Sequence, residues 1–238
     1  MGWFGIEMAR AGYVVVAVDH PGNNGMDKMT VPGAILFWER PEDLKAALAR
    51  VHDDPTLAPH MDFGRLGVAG FSAGGFTSLV AAGAEVDVGR FRAFCAAHPD
   101  DGVCKPQREF PVTLDQAMQT LAAPEMAGVV KASGDDHAIP GVRGAFAIAP
   151  ALVQALDPAS LASLKTPVEI VLGEVDPIAP PFTNGMVAAA AIPHVTLKIL
   201  PSVGHYDFLS ACTPAGDAVV PVCKTDAPRG PTHQTTIA

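Results

Sequence analysis

Leu66-Gly67-Val68-Ala69-Gly70-Phe71-Ser72-Ala73-Gly74-Gly75 is the stretch that decides how this chain is read. Leu66–Ala69 has the length and apolar character of a buried strand, and a helix-compatible stretch, Gly75 to Ala84, follows it. Between them stands Gly-x-Ser-x-Gly. A strand that turns at once into a helix holds the serine at a strained corner, with its hydroxyl clear of the backbone. Glycine is expected at both flanks, because a side chain at Gly70 or Gly74 would collide in so tight a turn. A glycine-rich turn of this kind can also simply bind an anion, so the chemistry depends on finding partners for Ser72.

Working outward, residues 3–11 predict a short helix ended by Gly12. Tyr13 to Val18 is a β-branched, wholly apolar run, which predicts a strand covered on both faces. It ends in the turn-rich loop Asp19-His20-Pro21-Gly22-Asn23-Asn24-Gly25. Pro41 opens a helix with Glu42 and Asp43 suited to its dipole, and Leu44, Ala47, Leu48 and Val51 form one apolar stripe. Thr113-Leu114-Asp115-Gln116 is a capping-box pattern, and Leu114, Ala117, Met118 and Leu121 make the inner side of that helix. Ala145–Ala149, Val168–Leu172 and Val195–Leu200 read as further buried strands. Strands alternating with helices predict an α/β fold: a mostly parallel sheet with helices on both faces.

The chain has 238 residues, 49% apolar and 17% charged, with a formal charge of −9. That length suits a single domain over 1–238, with an insertion or cap-like segment at 90–143 and a C-terminal tail at 212–238. The acidic balance, without basic clusters, argues against nucleic acid as a partner. No run of about eighteen apolar residues occurs, so no transmembrane segment is expected. The cysteines fall into two close pairs, Cys95 with Cys104 and Cys212 with Cys223, in Pro/Gly/Asp-rich loops without zinc-site spacing. Two local disulfides are expected, and with them a periplasmic or secreted location, although no signal peptide is visible. No metal or cofactor is implied. The carboxylate pairs Asp100/Asp101 and Asp135/Asp136 read as solvated turn chemistry.

A serine hydroxyl needs a base, and the base needs an orienting acid. In a parallel sheet these groups come from loops at the carboxyl ends of strands. Asp176 follows the Val168–Leu172 strand and is the acid candidate, with Glu174 as fallback. His205 follows the final strand and is the base candidate. The backbone N–H of Ala73 is the expected oxyanion donor. Phe71 and His20 are expected to contact substrate.

Four segments carry a family resemblance: Gly12–Asn23, Glu39-Arg40-Pro41-Glu42-Asp43-Leu44, Gly67–Gly75, and Gly204-His205-Tyr206-Asp207-Phe208-Leu209. Together they make the chain similar to the α/β-hydrolase superfamily. More narrowly, it resembles the bacterial predicted dienelactone hydrolases related to platelet-activating-factor acetylhydrolases. The resemblance implies Ser72 as nucleophile, Asp176 as acid and His205 as base, acting on a small-molecule ester or lactone. Dienelactone hydrolases proper use cysteine, so the family name does not fix the substrate. In the acetylhydrolases the acid follows an earlier strand, near Ala149-Pro150 here, where no carboxylate stands.

Relatives of this kind open with further strands, one of which bears a His-Gly oxyanion loop. Neither that motif nor those first strands is legible here, so the second oxyanion donor is expected to be missing. Pro231–Ala238 resembles the start of a closing helix. A fragment of a longer protein is therefore expected. The reading at this stage is a carboxylic ester hydrolase. Lactone, amide or polyester cleavage on the same residues stands as an alternative, and so does an inactive fragment or non-catalytic binding protein.

Overall fold

In the computed structural model, which describes residues 1–219 and Cys223, the four strands expected beyond residue 60 all form. Val168–Gly173 is largely buried as expected, whereas the two edge strands are not. Leu66–Phe71 is partly exposed and Val195–Leu200 largely so, because each, among the described residues, has a neighbour on one side only. They are β1 (Leu66–Phe71), β2 (Val142–Ile148), β3 (Val168–Gly173) and β4 (Val195–Leu200), paired in parallel in that order. The helices are α1 (Gly2–Arg10), α2 (Val31–Ile35), α3 (Arg40–His52), α4 (Ala73–Ala81) and α5 (Val88–Ala97). Then come α6 (Leu114–Leu121), α7 (Ala127–Lys131), α8 (Pro158–Ser163), α9 (Gly185–Ala191) and α10 (Pro214–Val219). Register brings the carboxyl ends of the strands level: Phe71 lies opposite Ile148, and Gly173 opposite Leu200. The chain therefore leaves the sheet at Ser72, Ala149, Glu174 and Pro201 along one rim.

The pleat sorts side chains by parity. Ala145 and Ala147 of β2, with Val168, Ile170 and Leu172 of β3, face one layer. There they meet Phe76, Leu79 and Val80 of α4, Phe91 and Cys95 of α5, Leu161 of α8 and Ala188 of α9. Phe37 and Trp38 close this core, and the Trp38 indole N–H donates to Val129 O at 3.1 Å. Each large side chain so withdrawn from water contributes about 1.5–3 kcal/mol. The opposite parity, Phe146, Ile148 and Val171, packs against Phe4 of α1 and against Val203 and Phe208. The Phe4 ring stacks on Phe146 with centroids 5.6 Å apart. Helical structure thus covers both faces, heavily on one and thinly on the other.

The reading of Tyr13–Val18 as a covered strand is corrected. The segment belongs to no strand, and Tyr13, Val14, Val15 and Val16 are exposed. β propensity needs a neighbour to accept the ladder and an apolar layer to cover the side chains. Among the described residues β1 pairs only with β2; its other edge stays open, and Tyr13–Val18 pairs with neither that edge nor any other strand. Neighbouring expectations fare differently. Helix α1 stops at Arg10, and Gly12 takes φ +92°, a value suited to glycine. Thr113 and Gln116 make both halves of a capping box at α6. Pro231–Ala238, expected to start a closing helix, lies outside the described residues.

Candidate active site

Ser72 joins β1 to α4 with φ 57° and ψ −118°, backbone angles outside the regions L-residues favour. Its N–H donates to Ile148 O at 2.9 Å, which fixes the corner to the end of β2. The glycines of the motif are not equivalent. A Cβ at Gly70 would lie 2.8 Å from Gly74 Cα and closer still to the Gly74 carbonyl, whereas a Cβ at Gly74 would meet nothing within 4 Å. The expected crowding is real at Gly70 and absent at Gly74. It reappears at Gly75, whose Cβ would lie 3.0 Å from Pro150 Cα.

His205 and Asp176 arrive on the same rim. His205 Nε2 lies 2.9 Å from Ser72 Oγ, and His205 Nδ1 lies 2.6 Å from Asp176 Oδ2. An ionised carboxylate only accepts, so Nδ1–H donates to Asp176, and Nε2 is left to accept from the serine hydroxyl. Asp176 Oδ1 is filled by the backbone N–H groups of Ile178 (2.8 Å) and Ala179 (2.9 Å). Both residues are buried, Asp176 at 4% and His205 at 2% exposure. The acid and base loops touch: Val175 N–H donates to Val203 O at 3.1 Å. Gly173 must be small, since a Cβ there would press into the Val203 carbonyl. Trp3 of α1 donates its indole N–H to Phe208 O at 2.8 Å, holding the turn that carries His205. Glu174, the fallback acid, instead accepts from Ser202 N–H at 3.0 Å and stays at the surface.

A cavity of about 250 Å³ opens onto Ser72 and Ala73. Ile35, Phe37, Phe91, Leu114, Met118 and Leu121 give it an apolar lining. As the first residue of α4, Ala73 has a backbone N–H with no acceptor inside the helix, available to a developing oxyanion. The segment expected as an insertion supplies much of the roof, including Val103, Cys104, Gln107 and Phe110. The inner side of α6 thus faces a cavity, and its residues are only partly buried. Sequence reading did not identify Ile35, Phe37 or Phe91 as pocket residues. Apolar residues bordering a void carry the same pattern as those in a filled core.

Phe71 packs its ring 4.7 Å from that of His205 and 6.1 Å from that of Phe208, beside the base and not on the cavity wall. His20 lies away from the cavity. Its Nδ1 sits 2.7 Å from Asp43 Oδ2, next to Arg40, in a separate groove. Burial, then the Arg40 charge, holds the His20 imidazole below its ordinary pKa against the opposing pull of Asp43. The loop it begins still reaches the cavity through Asn23.

Both expected disulfides form, with Cα–Cα separations of 5.3 Å for Cys95–Cys104 and 6.0 Å for Cys212–Cys223. Two disulfides accord with an extracellular or periplasmic location. Three of the four paired carboxylates hold nearby turns, and Asp101 also accepts from the distant Thr183 hydroxyl at 2.8 Å. Asp101 caps Val103 N–H, Asp136 accepts from Ala138 N–H, and Asp100 lies 3.5 Å from Lys105 Nζ. No group of three or more potential metal ligands occurs among the described residues, and no helix among them is long and apolar enough to cross a membrane.

The family model described as the Alpha/beta hydrolase family matches residues 2–220. No curated protein matches. Among solved structures, similarity extends to 2-hydroxy-6-oxo-6-phenylhexa-2,4-dienoate hydrolase from Rhodococcus sp. strain RHA1. The identity is 19% and the TM-score 0.42, over 86% of this chain and 78% of that one. An alpha/beta hydrolase fold protein from Nakamurella multipartita is similar at 17% identity and TM-score 0.41, over 99% and 85%. Est816, an N-acyl homoserine lactone degrading enzyme, is similar at 20% identity and TM-score 0.39, over 79% and 74%.

Proposed function

We propose that this chain, which belongs to the alpha/beta hydrolase family, cleaves a carboxylic ester through an acyl-serine intermediate. The observation that carries the proposal is the unbroken relay Ser72 Oγ – His205 Nε2, His205 Nδ1 – Asp176 Oδ2, at 2.9 and 2.6 Å, at the mouth of an apolar cavity. Ser72 Oγ attacks the acyl carbonyl while His205 Nε2 takes its proton. Ala73 N–H receives the charge that develops on the carbonyl oxygen. Collapse expels the alcohol, which leaves with the proton from Nε2. A water, deprotonated by the same nitrogen, then attacks the acyl carbon; the Ser72 Oγ–acyl bond breaks, Oγ takes the proton back from Nε2, and the acid departs. Asp176 keeps the imidazole in the required tautomer and stabilises its cationic form.

The cavity, about 250 Å³, exceeds the roughly 150 Å³ of a void that accepts benzene. It suits a short to medium apolar acyl group, in keeping with the dienelactone-hydrolase-like and acetylhydrolase-like branch. Further strands along the open edge of β1, in a longer protein, would supply a second oxyanion donor in this reading. Without one, about 10²–10³ in rate is forgone. The two disulfides support a periplasmic or secreted setting. The open edge also favours a second reading, a non-catalytic binding protein of the same fold. A fluorophosphonate probe separates the two. Labelling of Ser72, lost in Ser72→Ala, with turnover of p-nitrophenyl esters supports the hydrolase. An unlabelled, folded protein refutes it.

A further inference from the structure

The segment between α5 and α6 does more than roof the cavity: it reaches both loops that carry the acid and the base. At one end Gly102 lies so close to the Pro177 and Ile178 carbonyls that a Cβ there would overlap both. Those residues form the turn whose N–H groups hold Asp176 Oδ1. Next to it, Thr183 donates its hydroxyl to Asp101 Oδ2 at 2.8 Å, joining the far side of the same loop. At the other end Tyr206, the neighbour of His205, donates its hydroxyl to Glu109 Oε2 at 2.7 Å. Between these ends Gln107 Nε2 donates to Gly102 O (2.9 Å) and Lys105 O (2.8 Å), which stiffens the segment. The Cys95–Cys104 disulfide ties it to the main core, where Cys95 of α5 is 2% exposed.

We propose that Asp101–Glu109 is a disulfide-anchored strap that positions Asp176 and His205 relative to each other. Turnover then depends on an oxidised Cys95–Cys104 pair. The inference rests on the hydrolase reading above. Gly102, Asp101, Thr183 and Glu109 are positioning residues, since each acts through the loop it holds. A dithiol reductant would give the disulfide two electrons and two protons. Two thiols would form as the reductant closes to its own cyclic disulfide, and the strap would lose its anchor. Displacing a reacting group by about 1 Å costs on the order of 10² in rate, so a modest loosening is enough.

The test compares kcat and KM for p-nitrophenyl acetate, too small to need the cavity roof, in the full chain and its variants. Gly102→Ala and the pair Cys95→Ala/Cys104→Ala are expected to lower kcat by about 10²-fold with KM within about twofold. Cys212→Ser/Cys223→Ser, treated with dithiothreitol so that only the strap disulfide is reduced, is expected to fall likewise and to match wild type before reduction. Should Gly102→Ala or the Cys95/Cys104 variant fail to fold, Thr183→Val and Thr183→Ser decide. The first loses kcat several-fold and the second, which keeps the hydroxyl, retains it. A raised KM at unchanged kcat would assign the segment to substrate binding and overturn the inference. So would kcat within twofold of wild type in every folded variant. If oxidised wild type is itself unlabelled by fluorophosphonate and inactive, the hydrolase reading fails and takes the strap with it.

Discussion

Gly70→Ala and Gly74→Ala are the same substitution at two glycines of one motif, four residues apart, and the structure separates them. A Cβ at position 70 falls inside the 3.0 Å that real Cβ contacts respect, against backbone that cannot rotate away. The turn must give by on the order of 1 Å, a displacement that costs about 10²-fold in rate when a reacting group moves with it. The strain itself belongs with overpacking, about 1–3 kcal/mol. At a middle value of ~2 kcal/mol the midpoint of thermal unfolding should drop by roughly 4–8 °C. Position 74 is different: it is helical, with nothing within 4 Å of a new Cβ. Alanine is favoured there over glycine by about 1 kcal/mol, so Tm should rise by roughly 2–4 °C. Steady-state ester hydrolysis and calorimetry on the two variants give the comparison. If Gly74→Ala loses as much activity as Gly70→Ala, the crowding argument is wrong and the motif is constrained by something other than contact at this turn.

Asp176→Asn leaves the shape of the acid in place but removes its preference for the productive His205 tautomer. It should reduce kcat by about 10⁴-fold, measured with an activated ester. Met118→Trp would fill the cavity from α6. The kcat/KM ratio of octanoyl to acetyl esters should then fall at least tenfold, while acetyl turnover itself changes little. For His20, whose folded pKa lies below its ordinary 6.5, the unfolded chain binds a proton that the folded one resists. Stability should therefore fall as pH drops below about 6.5 towards the depressed value. Urea midpoints measured between pH 5 and 7.5 should show a flatter profile in His20→Gln.

Much of the candidate site is legible in the chain because it is specified locally. Ser72 is marked by a five-residue motif, and Asp176 and His205 are marked by where strands end. The four strands are legible from runs such as Val168–Gly173, in which almost every residue is buried, but their order in the sheet is not. What sequence could not supply was company. Tyr13–Val18 has strand composition, but strand formation depends on what lies beside it. The cavity wall was equally hidden, because Phe37 and Phe91 bordering a void look like Phe76 inside a filled core. Phe71 adjoins Ser72 in the motif, and His20 follows the Tyr13–Val18 run that forms no strand. Ring packing against His205 and a bond to Asp43 assign them other neighbours.

Tyr13-Val14-Val15-Val16-Ala17-Val18 carries no charge and no proline, and all of its side chains but that of Val18 are held out in water. Another such molecule in solution carries a β1 edge that is unpaired among the described residues, and it offers the row of N–H and C=O groups that this segment lacks. Short, uncharged β-formers of this kind are the segments that stack between chains. The colloidal behaviour of the protein is thus written in the same six residues that failed to become a strand. Its solubility should respond to a single lysine at Val15 more sharply than to charges added anywhere on the rim that carries Ser72.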